Sequence, residues 1–366
     1  MKILKSIILI IIIIFGFDIL INLLLPENLK KKIGTTRNYS LKSEEFHHAI
    51  APKIDVNEFW GKNKYKVKTN EYSMRISENE EFFIDKNKEY VAFVGDSFVY
   101  GSGINYEDHF ISLLDKKKYD YLNLGFVSYS PSIYFKKIKY LIEKKNLTFK
   151  KIFIFIDHSD IQDEGLFYRE NSKGNIVRNW LNDEEIYKKN LKYKVKNYLK
   201  QNSFIFKLYE NLNNPTISTK TSECIKQDKI NLNYNEFIDL ERFGYGYKNN
   251  LKNKKWEEIG KKKIIEYLQK IKDLSLKHNF EIVIINYPSA PEVINSISSK
   301  DTEHFNFLNN WSSKNNITFI NTRDDFIVEK NINDYLNNFI HCDVHWNKNG
   351  HKIISKNIKK FLDEQS

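Results

Sequence analysis

Residues 91–103 read VAFVGDSFVYGSG, and the rest of the chain is read outward from them. An apolar run at 90–94 stops abruptly at Gly95-Asp96-Ser97, and a helix-like segment begins near Tyr106. Strand, tight turn, polar side chain, helix: that order lifts a serine hydroxyl off the carboxyl edge of a sheet. Open α/β sheets bind ligands at that edge. Gly95 permits the tight turn, and Gly101 and Gly103 keep the following loop slim. The stretch is not a G-x-S-x-G elbow, because position 99 is Val. A plain βα turn with a helix-capping serine fits the same residues.

Beyond this turn, the spacing predicts strands at 90–94, 119–124, 151–156, 280–286 and 317–320. It predicts helices at 106–115, 131–144, 256–278 and 348–362, with Ser130 as the cap of the second. In the third, Ile259, Ile264, Ile265, Leu268, Ile271 and Leu274 form an apolar stripe. Strands alternating with helices imply an α/β fold around a mostly parallel, doubly wound sheet. Residues 165–254 interrupt the pattern, crowded with Lys, Asn and Tyr. They are too many for one structureless loop. A helix is expected at 184–198, and the insertion suits a lid or substrate platform over the active edge.

Toward the N-terminus, Lys2 and Lys5 precede residues 7–25, which are apolar except for Gly16, Asp18 and Asn22. A run of this kind is long enough to cross a bilayer as one helix. No A-x-A-like cleavage site follows, so the run reads as an uncleaved signal anchor. Asp18 is out of place in such a helix unless it lies near the interface or pairs with another helix. Lys30, Lys31, Lys32 and Arg37 flank the far side, so charge counts alone assign no orientation. The expected organisation is an anchor at 1–29, a stem and preamble at 30–89, and a body at 90–366.

The 366 residues carry a formal charge of +11, and 41% are hydrophobic, enough for a sizeable core. The lysines are spread through the chain with Asn and Ile, without a basic stripe or a nucleic-acid motif, which argues against a nucleic-acid partner. A basic surface favours anionic glycans or lipid headgroups. The two cysteines, Cys224 and Cys342, have no metal-ligand spacing.

A nucleophilic serine needs a base, and the base needs an orienting acceptor. Residues 341–351 read HCDVHWNKNGH, just before the last predicted helix. In an extended segment Asp343 and His345 point to one face, so Asp343 can accept from Nδ1–H of His345 and leave Nε2 for Ser97. A polar loop whose Asp or Asn caps the last helix is the other reading. His341 and His351 suit structural roles, and the spacing matches no common zinc pattern.

Taken together, GDSFVYGSG, NLGF at 123–126 and DVHWNKNGH at 343–351 resemble, in order, the catalytic blocks of the SGNH/GDSL hydrolase family. The D-x-H-W string is also similar to that of alginate O-acetyltransferase relatives. The resemblance implies an SGNH-like (flavodoxin-like) three-layer fold and an extracytoplasmic body on the single membrane anchor. It makes Ser97 the nucleophile, His345 the base and Asp343 its orienting acceptor. The N–H groups of Ser97 and Gly125 become the oxyanion hole. Two departures stand out. The third block ends Asp157-His158-Ser159-Asp160, so Ser159 falls where the family has an Asn donor, and the last block is D-x-H rather than D-x-x-H. The implied activity is hydrolysis of acyl esters, such as acetyl esters of a cell-surface glycan, with no cofactor. The alternatives are an O-acyltransferase using the same triad and a non-catalytic glycan-binding scaffold.

Overall fold

A computed structural model gives the fold and describes residues 40–60, 63–79, 81–178, 255–295, 306–329, 332–341 and 343–365, with 6, 16–18, 20, 21, 24, 203 and 205 besides. The chain divides into two compact units, Met1–Tyr39 with Trp180–Thr219 and Ser40–Asn179 with Lys220–Ser366. In the first, the Asp18 carboxylate accepts the Ile205 N–H at 2.9 Å, so this acid has a partner within its own unit. The apolar run 7–25 lies mostly outside the described residues, among which no helix is long and apolar enough to cross a membrane. The helix expected at 184–198 and both cysteines also lie outside them.

Among the described residues the second unit has twelve strands: β1 (Ser40–Ser43), β2 (His47–Ile50), β3 (Asp55–Trp60), β4 (Asn63–Thr69), β5 (Arg75–Ile76), β6 (Glu89–Val94), β7 (Tyr121–Asn123), β8 (Thr148–Ile156), β9 (Tyr168–Glu170), β10 (Ile176–Arg178), β11 (Glu281–Asn286) and β12 (Thr318–Asn321). Eight of them form one sheet in the order β12-β11-β8-β6-β7-β5-β4-β3. The five from β12 to β7 are parallel, as the alternation of strands and helices requires. β5, β4 and β3 continue the sheet antiparallel. The stretch 30–89, expected to be a stem and preamble, thus contributes a three-stranded edge. Trp60, Tyr65 and Tyr72 mark packed structure in this stretch and a short strand is expected at 71–76, where β5 lies, but β3 and β4 alternate too briefly among Lys and Asn for the sequence to announce them.

β7 pairs on one side of β6 and β8 on the other, so the strand order reverses at β6. Ligands bind outside the carboxyl ends of the strands at such a reversal, and Ser97 stands there. Strand residues alternate between two buried faces. Val91, Phe93, Phe153, Phe155, Val283 and Ile285 share a core with Phe110 and with Ile354, Ile358 and Leu362 of the last helix, Lys348–Glu364. Ala92, Ile152, Ile154 and Ile284 face the other way and are equally buried. Pro131–Glu143 and Lys255–His278 pack against each other and stand apart from the first core.

Two expected details come out differently. The helix expected at 106–115 is a single 3₁₀ turn, Tyr106–Asp108. The His109 side chain turns inward, reaching Val99 O at 2.9 Å and accepting the Ile111 N–H at 3.2 Å, and so competes with the helical hydrogen bonds. Ser130 sits at the expected cap position but sends its hydroxyl to the Glu164 carboxylate at 2.6 Å.

The turn after β8 is held down by Lys255–His278. Gly260 lies so close to the short helix His158–Gln162 that a Cβ there would stand 2.0 Å from the Ile161 carbonyl oxygen. Gly to Ala inside a helix ordinarily stabilises by up to about 1 kcal/mol. Here overpacking reverses the sign: Gly260→Ala is expected to cost roughly 1–3 kcal/mol, read as a lower midpoint in urea denaturation.

Candidate active site

β6 ends in Gly95-Asp96, and Ser97 opens a one-turn helix, Ser97–Tyr100. Asp96 caps it, accepting the Phe98 N–H at 2.9 Å. Gly101 closes it in the left-handed region at φ 80°, where a side chain would be strained. The Ser97 side chain is partly exposed at the carboxyl edge.

The loop before the last helix is closed by a bridge between Phe339 and Trp346 and by the Ile340 N–H bonding to His345 O at 2.8 Å. Asp343 and His345 meet through a turn rather than an extended segment. One oxygen, Asp343 Oδ1, accepts the His345 backbone N–H at 3.1 Å and lies 2.5 Å from His345 Nδ1. This Asx-type turn lets D-x-H do the orienting that the D-x-x-H spacing does elsewhere. A carboxylate only accepts, so Nδ1 carries the proton and Nε2 presents its lone pair. Nε2 lies 2.8 Å from Ser97 Oγ, and the serine hydroxyl donates to it. Asp343 and His345 are 2% and 6% exposed, so the pair is shielded while the serine is reachable.

Trp346 is fully buried against Phe98 and Tyr287, with ring centroids at 4.8 Å in both contacts, and so anchors the loop beside the serine turn. Asn347 caps the last helix, accepting the Asn349 N–H at 2.8 Å and the Gly350 N–H at 3.3 Å. The capping role and the Asp343–His345 pairing coexist on different residues. His351 is buried and accepts the Phe110 N–H at its Nδ1; burial lowers its pKa to about 3, so it is a neutral structural ring. His341 is exposed.

Two of the expected oxyanion donors have other partners. The Gly125 N–H is committed to the buried Asn123 Oδ1 at 2.9 Å. What position 125 requires is the absence of a side chain: a Cβ would come within 2.7 Å of the Tyr100 nitrogen and 2.8 Å of Val99. The Ser159 hydroxyl is likewise taken, donating to Asp157 Oδ1 at 2.6 Å, while the Ser159 N–H bonds to the same oxygen at 2.9 Å. The Ser97 N–H, in the first turn of its helix, has no intrahelical acceptor and is the donor left at the serine.

Sequence reasoning missed two features here. One is Trp60, at the end of β3, whose partly exposed indole stands edge-on to the His345 ring with centroids 4.9 Å apart. No local pattern connects it to residues so far along the chain. The other is a group of buried acids at the carboxyl ends of β6 and β8. Asp96 Oδ1 also accepts the Tyr287 hydroxyl at 3.0 Å. Asp160 accepts the Tyr134 hydroxyl at 2.9 Å and the Asp157 N–H at 3.0 Å, completing a capping box with Asp157. Burial raises the pKa of all three, and the Asp157 charge raises Asp96 and Asp160 further. The bonds from Ser159 partly oppose the rise at Asp157. The D-x-x-D spacing of 157–160 is the one sequence signal for this group.

No family model matches the chain, and no curated protein does. Among solved structures it is similar to an acetyl xylan esterase, at 12% identity and a TM-score of 0.40, covering 75% of this chain and 99% of that one. It is also similar to a GDSL-like lipase from Bacteroides thetaiotaomicron, at 10% identity and a TM-score of 0.39, covering 78% and 93%. With identities and scores this low, the chemistry of the site rests on its own atoms.

A raised carboxyl pKa in the folded state adds stability below the ordinary carboxylate range, and that stability is lost as pH rises through the folded-state value. Asp96→Asn keeps an acceptor for Phe98 and Tyr287 but removes the titration. It is expected to flatten the fall in thermal midpoint between about pH 5 and about pH 8, measured beside wild type.

Proposed function

We propose that the chain is a serine esterase of the SGNH type, removing acyl groups from a glycan at the cell surface. The observation that carries this reading is the alignment of Ser97 Oγ, His345 Nε2 and Asp343 Oδ1 at hydrogen-bonding distances. In the proposed reaction Ser97 Oγ attacks the ester carbonyl carbon as its proton passes to His345 Nε2. The imidazolium is stabilised by Asp343, and the developing oxyanion lies by the Ser97 N–H. Collapse expels the alcohol, which takes the proton from Nε2 and leaves an acyl-serine. Water then attacks, giving its proton to His345, and the acid leaves as Ser97 recovers its hydrogen.

A sugar-bearing alcohol is supported by Trp60, whose flat apolar face beside the base suits stacking on a pyranose ring. The apolar run at 7–25 supports attachment to a membrane, and the motif resemblance favours a body on the extracytoplasmic side. A second reading, a non-catalytic glycan-binding scaffold, is favoured by the engaged Gly125 and Ser159 donors, which leave a sparse oxyanion site.

Fluorophosphonate labelling separates the two. Wild type is expected to label at Ser97, while Ser97→Ala and His345→Ala do not and lose ester turnover by at least about 10³-fold in kcat. A folded wild type that stays unlabelled supports the scaffold. Trp60→Ala is expected to raise KM for an acetylated oligosaccharide roughly five- to tenfold and to leave KM for p-nitrophenyl acetate within about twofold, since stacking of this kind contributes about 1 kcal/mol.

A further inference from the structure

The helix that carries Ser97 is a single turn, Ser97–Tyr100, and one turn has almost no stability of its own. Its position, and with it the place of Ser97 Oγ relative to His345, must be fixed by groups outside it. At its front end the Asp96 side chain does this. At its back end the carbonyls are gathered by side chains from other elements. Val99 O receives Asn123 Nδ2–H at 2.8 Å and His109 Nε2 at 2.9 Å. Ser97 O and Phe98 O take the Gly101 N–H, and the carbonyls after Val99 go to Arg75. Its Nη1 donates to Tyr100 O at 2.9 Å and Gly101 O at 2.6 Å, and its Nη2 to Ile104 O at 2.5 Å and to Lys66 O, on β4, at 3.0 Å.

Arg75 is 2% exposed and lies against the rings of Tyr65, Tyr100 and Tyr106, 5.4–5.9 Å from their centroids. Among the described residues no carboxylate pairs with it; its charge is met by carbonyl dipoles at the C-terminal end of the turn, the end that favours a cation. Arg75 and Asn123 are cross-strand partners on β5 and β7, so one register position supplies both hands of the clamp. The clamped segment reaches the base as well: a Cβ at Gly103 would stand 2.6 Å from Ile340 Cδ1 and 3.3 Å from Trp60. Ile340 closes the loop of His345, and Trp60 stands on its ring.

We infer that Arg75 is a positioning residue of the serine: it holds the Ser97 turn in register with His345 by binding the carbonyls behind it. This rests on the acyl-transfer reading above. It also gives the antiparallel edge β3–β5 a task, since that edge carries Arg75 underneath the turn and Trp60 beside the base. Lysine retains the charge but has no planar fork to reach four carbonyls. A displaced Ser97 slows attack without altering how substrate binds, because near-attack geometry enters the chemical step.

The test uses the full chain as wild type, Arg75→Lys and Arg75→Ala, with p-nitrophenyl acetate turnover, the rate of fluorophosphonate labelling and the thermal midpoint measured on each. At a temperature where each protein is folded, both variants are expected to lose at least tenfold in kcat and labelling rate, with KM within about threefold. Ethylguanidinium in the millimolar range is expected to restore part of the labelling rate to Arg75→Ala and none to Ser97→Ala. Folded variants that label at the wild-type rate overturn the inference, while labelled wild type keeps the esterase reading intact. If the variants fold only with ethylguanidinium present, recovery of fold without recovery of labelling overturns it too. An unlabelled wild type would count against the esterase reading itself.

Discussion

A serine turn of four residues cannot hold itself in place, and much of the second unit is arranged around that constraint. The turn Ser97–Tyr100 offers few internal hydrogen bonds. Asp96 takes a front N–H, Asn123 and His109 take Val99 O, and Arg75 takes Tyr100 O and Gly101 O. Four chain segments thus converge on one turn. The result is a Ser97 hydroxyl held 2.8 Å from His345 Nε2, the preorganisation that the proposed reaction needs.

The sheet supplies the place. Because β7 and β8 flank β6 on opposite sides, the chains that leave their carboxyl ends diverge and open a crevice above β6. The last loop then drops His345 into that crevice, fastened by Trp346 on one side and the Asn347 cap on the other. The antiparallel strands β3–β5 widen the sheet and bring Trp60 to the rim.

The electrostatics follow from burial. Asp96, Asp157 and Asp160 lie together beneath the site, where burial and mutual repulsion favour their neutral forms. Their hydrogen bonds are structural: Asp157 ties down Ser159, and Asp160 ties down the start of its own helix. The same rigidity that fixes this loop also consumes the hydroxyl that stands in the third-block position. In the proposed reaction, oxyanion stabilisation would therefore fall mainly on the Ser97 N–H, and the alignment of Ser97, His345 and Asp343 would carry more of the chemistry than a full set of donors.

What was legible in the sequence was short-range. An apolar run broken by Gly95-Asp96-Ser97 marks a strand and its turn within a few residues, and D-x-H-W-N before a helix marks the loop that carries a base and a cap. Three of the parallel strands were legible for the same reason, since β6, β8 and β11 each carry a continuous apolar run that is buried. Only the tertiary structure decided which backbone groups are free. Asn123 turning back onto the Gly125 N–H, and Asp157 onto the Ser159 hydroxyl, are choices among partners that the sequence does not rank. Arg75 lies in a stretch where a short strand was legible and Trp60 reads as packed, but their link to the site was not, because they reach it across the sheet rather than along the chain. Local propensity names the turn and the pair; long-range packing, which sets who bonds to whom, determines how that turn is held and what surrounds it.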